Sequence, residues 1–97
     1  MKPLFILAVL GCAVIPAWAG PLDEMRALVE QGRDAEAYAL GERHPELLGD
    51  PGFDYLFGVA ALNRGSASEG LLAMERVLMR HGGNRRARFQ LARAYAM

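Results

Sequence analysis

The sequence predicts an all-α solenoid of helical hairpins, about two and a half copies long, behind a signal peptide. One observation is a repeat: Phe57-Gly58-x-x-Ala61 returns 34 residues later as Leu91-Ala92-x-x-Tyr95. A second is that apolar residues recur at intervals of three and four, which is helical spacing, between breaks marked by glycine and proline. Fixed-period repetition of a two-helix unit is typical of solenoids, in which each hairpin buries its apolar face against its neighbours.

Residues 1–19 have the three parts of a secretory signal peptide. Lys2 gives a positive start, residues 4–15 form an apolar run, and Ala17-Trp18-Ala19 is a small-x-small cleavage site before Gly20. A retained membrane anchor is the weaker alternative, because a span needs about 20 apolar residues. A second alternative is a lipoprotein, since residues 9–12 loosely resemble a lipoprotein box ending in Cys12; the residues that follow stay apolar, which favours cleavage after Ala19.

Export therefore predicts a protein of the bacterial periplasm or of the periplasmic face of the outer membrane. Cys12 is the only cysteine of the chain. The mature part contains none, which excludes disulfides and cysteine-based metal sites there and argues against a small eukaryotic secreted domain.

Residues 20–50 are expected to form a degenerate first hairpin and a connector. Asp34 is the predicted N-cap of the second helix, which ends before Pro45 because the residue preceding a proline disfavours the helical conformation. Residues 32–37 match residues 65–70 at a shift of 33, and terminal repeats are expected to be atypical. The first helix carries its apolar face on Leu22, Met25, Leu28 and Val29.

Residues 51–84 are the best-formed repeat, and residues 85–97 are the first helix of a truncated third one. Asp50 is the predicted N-cap of the helix that opens with Pro51. Ser66 and Glu69 have the spacing of a capping box for the second helix. The pair of glycines at 82–83 is expected to end that helix with positive φ angles.

These residues resemble the tetratricopeptide repeat family. Its 34-residue pattern has Leu-Gly-x-x-Tyr in the first helix and Ala-x-x-x-Phe in the second; here Phe57, Gly58 and Ala61 take the first set of places, and Gly70 and Met74 the second. The resemblance covers residues 51–84 well, 85–97 in part and 20–50 weakly. A helical-hairpin protein without true repeats remains the alternative.

The resemblance implies a concave groove lined by the first helix of each repeat, where a peptide or protein segment binds. It does not imply the clamp for a C-terminal carboxylate, because Tyr55 and Val59 stand where that groove type has Lys and Asn. An ordinary helix–helix core is the alternative for Tyr55, Leu62 and Phe89. The predicted groove residues are Tyr55, Val59, Leu62, Asn63, Arg86, Phe89 and Arg93.

We expect no catalytic residue, cofactor or metal. The mature chain has two serines, no threonine and no lysine, and neither His44 nor His81 has a second ligand at metal-binding spacing. Charge is uneven: residues 20–54 hold nine acids and three arginines, a net of −6, and residues 55–97 hold two acids and seven arginines, a net of +5. Export argues against nucleic acid as the partner of these arginines, and an acidic glycan ranks below a protein as the partner. Solvated helix faces are the simpler explanation of the uneven charge.

The predicted function is a non-enzymatic periplasmic scaffold for protein–protein interaction. A sharper form of it is similar to the N-terminal periplasmic repeat domains of outer-membrane barrel proteins, such as surface lipoprotein assembly modifiers and exopolysaccharide export porins. The alternative is an accessory region of a larger export protein or enzyme whose active part lies beyond residue 97. The partner's identity and the oligomeric state do not follow from these residues.

Overall fold

The computed structural model describes residues 19–97, and this part of the chain consists of helices joined by turns, without a strand. The predicted all-α class is confirmed. The predicted signal peptide and Cys12 lie outside the described residues, apart from Ala19. In chain order the helices are α1 (Pro21–Glu30), α2 (Asp34–Glu42), a short 3₁₀ helix (Pro45–Leu47), α3 (Pro51–Asn63), α4 (Ala67–Arg80) and α5 (Arg85–Ala96).

The first two hairpins turn in the same way, 33 residues apart. Gly32 and Gly65 follow α1 and α3 with φ angles of 75° and 91°, a left-handed conformation that glycine adopts without steric cost. Behind Gly65, the Ser66 amide donates to the Ala61 carbonyl at 2.8 Å, and behind Gly32 the Arg33 amide donates to the carbonyl five residues earlier at the same distance. Both turns are Schellman motifs, so the two hairpins share the same turn geometry.

The starts of α3 and α5 are also equivalent, at a separation of 34 residues. The Phe53 amide donates to Asp50 Oδ1 at 3.0 Å, and the Ala87 amide donates to Asn84 Oδ1 at 3.0 Å. Each oxygen satisfies an amide that the helix itself leaves without a partner. The predicted Asp50 cap is confirmed, whereas the Asn84 cap was not predicted.

Two other predicted caps are wrong. The Ser66 side chain accepts no capping bond, and the Glu69 carboxylate that would complete the box instead accepts the Tyr38 hydroxyl at 2.6 Å. Asp34 lies inside α2 and not before it, and its Oδ1 accepts from Asn63 Nδ2 at 3.0 Å. In both cases a side chain from another helix competes successfully with the local backbone amide.

The end of α4 also differs from the prediction. His81 already leaves the helix with φ −136° and ψ 72°, and neither Gly82 nor Gly83 has a positive φ. The carbonyl of Gly82 accepts two bonds from the Arg88 guanidinium, at 2.7 and 3.1 Å. The Arg88 side chain of α5 therefore holds the turn between α4 and α5 in place.

Helix α3 is the centre of the described fold. It packs against α1, α2, α4 and α5, and most of its residues are buried whichever way they point. A helix that is apolar all round must be covered on all sides. One hydrophobic core lies between α1, α2 and α3, and a second lies between α3, α4 and α5. The largest fully buried apolar side chains are Met25, Phe53, Met74 and Val77.

Two glycines at the contact between α3 and α4 allow a short distance between these helices. A Cβ atom on Gly58 would lie 2.9 Å from Ala73 Cβ and 2.5 Å from Met74 Cε, and a Cβ on Gly70 would overlap Leu62. Carbon atoms in contact are about 3.5–4.0 Å apart. Only a residue without a side chain fits at these two positions with the present spacing.

Asp54 is the one buried charged residue among those the structure describes, with 1% of its surface exposed. Its carboxylate accepts from the Gly49 amide at 3.1 Å and from Arg76 Nε at 3.2 Å. A buried charge is tolerated when it is paired and hydrogen-bonded. Asp54 thereby ties the connector before α3 to the middle of α4. Within residues 19–97, no helix has the length and apolar character needed to cross a membrane.

Candidate partner-binding groove

A groove of about 430 Å³ runs across α1, α3 and α5. The C-terminal half of α1 forms one side, the first three turns of α3 form the floor, and the start of α5 forms the other side. Its lining consists of Arg26, Val29, Glu30, Pro51, Gly52, Tyr55, Leu56, Val59, Asn84 and Arg86.

The floor of the groove is apolar and its two sides are charged. Three apolar residues of the two cores also line the groove: Val29, Leu56 and Val59. Arg26 faces the groove from α1 and is only weakly engaged, at 3.7 Å from Asp23 with both side chains about half exposed. Apolar surface with a few convergent polar groups is the usual character of a ligand site in a protein.

The α5 side of the groove is electropositive. Arg86 is exposed, and within the described residues it forms no ion pair. It lies in the first turn of α5, and Pro51 and Gly52 lie in the first turn of α3, so two helix N-termini border the same space. The N-terminal end of a helix carries a partial positive charge, which adds to that of the guanidinium. A negatively charged group is therefore favoured here.

Three of the seven predicted groove residues line this space: Tyr55, Val59 and Arg86. Leu62 does not, since it is only 2% exposed and packs over Gly70 of α4. Phe89 is 64% exposed, on a part of α5 that lies outside the groove lining.

Asn63 and Arg93, the remaining two predicted residues, belong to a polar network beside the groove. Arg93 donates to Asn63 Oδ1 at 3.0 Å and to Gln90 Oε1 at 2.7 Å. Gln90 in turn approaches the Tyr55 hydroxyl at 3.5 Å, and Asn63 donates to Asp34. The network joins α2, α3 and α5, so it fixes the relative positions of the helices that form the groove.

The sequence interpretation missed the contribution of α1 to the groove. The alignment of Gly32 with Gly65, at a shift of 33, made α1 part of a degenerate terminal repeat, and no groove residue was predicted in it. If the helices are aligned on their opening prolines, Pro21 and Pro51, then Val29 falls on Val59, and both line the groove. The second alignment also places Arg26 on Leu56, both of which line the groove, whereas Met25, which falls on Tyr55, is buried.

The described residues contain no cluster of three or more His, Cys, Asp or Glu side chains with metal-binding geometry. His44 Nδ1 lies 2.8 Å from Glu46 Oε2, and the hydrogen bond between them lowers the pKa of the Glu46 carboxyl. Both side chains are at the surface of the connector, and neither lines the groove.

None of the protein-family models, curated proteins and solved structures that were compared with this chain matches it. The resemblance to the tetratricopeptide repeat family therefore stands on the residues quoted above and remains a prediction.

Proposed function

We propose that this protein is a non-enzymatic scaffold of the tetratricopeptide type that binds a segment of another protein in the groove of α1, α3 and α5. The observation that carries the proposal is that side chains of α1, α3 and α5, which alternate with α2 and α4 along the chain, line one groove. The equivalent turns after Gly32 and Gly65, and the equivalent caps at Asp50 and Asn84, support a repeat architecture that would produce such a shared surface.

The groove favours a peptide with an acidic residue beside apolar ones. An acidic side chain would meet Arg86 and the two helix N-termini, where it is stabilised by both the side-chain charge and the helix dipoles. Apolar side chains on either side of it would cover Val29, Leu56 and Val59. The volume of about 430 Å³ is within the usual range of ligand sites, which suits a short segment and not a folded domain.

The proposed location is the periplasm or the periplasmic face of the outer membrane. It is supported by the order of a positive start, an apolar run and a small-x-small site in residues 1–19, which is the pattern of a secretory signal peptide.

The binding proposal is tested with peptides selected from a random heptapeptide library on the 97-residue chain. We expect acidic, apolar peptides, and we expect Arg86→Glu to weaken the best of them by about fivefold or more, since it reverses the charge at the rim. Binding of the selected peptide should also weaken with added salt.

Arg85→Glu is the matched control. Arg85 precedes Arg86, is exposed, and does not line the groove, so the variant has the same net charge without altering the site. Tyr55→Ala adds a test of the floor. The proposal fails if selection enriches no peptide, or if the two charge variants bind the selected peptide with the same affinity.

A further inference from the structure

A second cavity, of about 380 Å³, lies on the side of α3 that faces away from the groove. It opens between α2, α4 and the connector that precedes α3, and none of the groove residues lines it. Its lining consists of Gly41, Glu42, Pro45, Leu48, Phe53, Phe57, Glu69, Leu72 and Arg76.

The wall of this cavity is aromatic and rigid. The Phe57 ring stacks on Phe53 with centroids 5.6 Å apart, and on Tyr38 with centroids 5.0 Å apart. A Cβ atom on Gly41 would overlap the Phe57 ring, so the glycine at this position lets the ring lie flat against α2. The aromatic wall therefore offers apolar surface to a ligand.

The mouth of the cavity is apolar. Leu48 and Leu72 both line it, and each is 54% exposed, which is high for leucine side chains beside a concave surface. A ligand that covered both would remove apolar surface from water, which is the main favourable term in the binding of small molecules to such sites.

The charges at this cavity are predominantly negative. Arg76 is the only cation in the lining, and the buried carboxylate of Asp54 accepts from its Nε at 3.2 Å, which offsets its charge. Glu42 forms no ion pair within residues 19–97. Glu69 is held in place by the Tyr38 hydroxyl at 2.6 Å, a neutral donor that leaves the carboxylate charge uncompensated.

Two further cations lie nearby without lining the cavity. Arg80 reaches the connector, with Nη2 3.8 Å from the position that a Cβ on Gly49 would take. The Arg64 guanidinium stacks over the Tyr38 ring at 4.4 Å from its centroid. Its charge reduces the negative potential on the Tyr38 side. Within the lining itself, Glu42 and Glu69 stand against Arg76, whose charge Asp54 offsets, so a positive group inside the cavity would lie closest to the two carboxylates.

We propose that this cavity binds a small organic cation, an ammonium group attached to an aromatic or branched aliphatic body. The apolar body would lie between Phe57, Leu48 and Leu72, and the ammonium group would donate to Glu42 and Glu69. The site does not depend on the groove, and its occupancy does not require the peptide proposed above.

The probe is 2-phenylethylamine, titrated into the isotopically labelled 97-residue chain and followed by amide chemical shifts. Saturable shifts are expected at Gly41, Phe57 and Leu72, with a Kd on the order of 1 mM for a ligand of this size. The neutral analogue 2-phenylethanol should bind more weakly, and the anionic analogue 3-phenylpropanoate should give no saturable shift.

The variant Glu42→Gln/Glu69→Gln should weaken phenylethylamine by about fivefold, since two partly exposed carboxylates lose their charge. The Gln side chain at position 69 can still accept the Tyr38 hydroxyl, so the fold is preserved. Glu75→Gln is the control, because Glu75 is an exposed acid of α4 outside the lining.

The same chemistry occurs in a lysine beside an aromatic residue, and acetyl-Phe-Lys-amide is therefore titrated in parallel. Tighter binding of the dipeptide assigns the site to protein side chains, and tighter binding of the amine assigns it to a metabolite. The proposal is overturned if phenylethylamine gives no saturable shifts, if phenylpropanoate binds equally well, or if the double variant binds as tightly as the Glu75 control.

Discussion

The replacement of Gly58 by leucine tests the close approach of α3 and α4. A Cβ at this position would already lie 2.9 Å from Ala73 Cβ, an atom fixed to the backbone of the facing helix, so relief requires the two helices to separate. Overpacking of this kind costs about 1–3 kcal/mol, and the gain in helix propensity over glycine returns about 1 kcal/mol or less. With three further carbons to place, we expect Gly58→Leu to be destabilised by about 2 kcal/mol, and Gly58→Ala by about half as much.

The measurement is urea unfolding of the 97-residue chain followed by far-UV circular dichroism. A loss of about 2 kcal/mol corresponds to a decrease in Tm of about 8–16 °C for a domain of this size. Gly83→Ala is the control, because a Cβ there would meet no atom within 4 Å. Its free energy of unfolding should change by less than about 0.5 kcal/mol.

A double-mutant cycle with Ala73→Gly separates packing from propensity. Removal of the Ala73 methyl group creates space for the Cβ of Gly58→Ala, so the double variant should be more stable than the sum of the single changes predicts. Unchanged stability of Gly58→Leu, or strict additivity of Gly58→Ala with Ala73→Gly, would refute the close approach.

Three further changes test individual contacts. Asp54→Ala should cost about 1–3 kcal/mol in urea unfolding, because it leaves the Gly49 amide and the partly exposed Arg76 guanidinium without their buried acceptor; a loss below about 0.5 kcal/mol would contradict this. Asn84→Ala should cost about 1 kcal/mol and increase amide hydrogen exchange at the start of α5, whereas exchange equal to wild type would exclude a capping role. The hydrogen bond to Glu69 raises the pKa of Tyr38 to about 12, so its stabilising contribution is present below pH 10 and is lost as the pH rises through 12. Alkaline absorbance titration should show one late tyrosine that disappears in Tyr38→Phe; its persistence in that variant would assign it elsewhere.

The features that the sequence predicted correctly are local ones. The cap at Asp50 depends on residues within three positions along the chain, and the Phe53 amide donates to it as predicted. The wrong caps failed because of distant partners. Glu69 bonds to Tyr38, 31 residues earlier, and no local pattern contains that information.

The burial of Asp54 could not be predicted for the same reason. An acid in the first turn of a helix is ordinary, since the helix dipole favours it at the surface. Its actual partners are the Gly49 amide and Arg76, which is 22 residues away. Only the packing of α4 against α3 brings these groups together.

Only three of the seven predicted groove residues line the groove. The sequence of α3 does not show which of its faces is turned toward the groove, because this helix is apolar on every side. Hydrophobic periodicity distinguishes faces only where polar residues mark the solvent side, and eight residues of α3 are buried. Tyr55 and Val59 face the groove, whereas Leu62, three residues further on, faces Gly70 of α4. The positions of the neighbouring helices decide this, and they are not encoded in the sequence of α3 itself.

The two proposed sites give the uneven charge of the chain a structural meaning. On the α1 side of the groove the charges of Arg26 and Glu30 oppose each other, whereas the α5 side has Arg86, so the positive potential is concentrated at α5. In the proposed complex, a peptide that crosses the groove would therefore be oriented, with its acidic residue at the α5 side. The lining of the opposite cavity has Glu42 from the acidic half and Glu69 from the basic half, and its cation Arg76 is paired with Asp54. Because α3 separates the two sites, an acidic peptide and an organic cation would each find the surface that suits its charge.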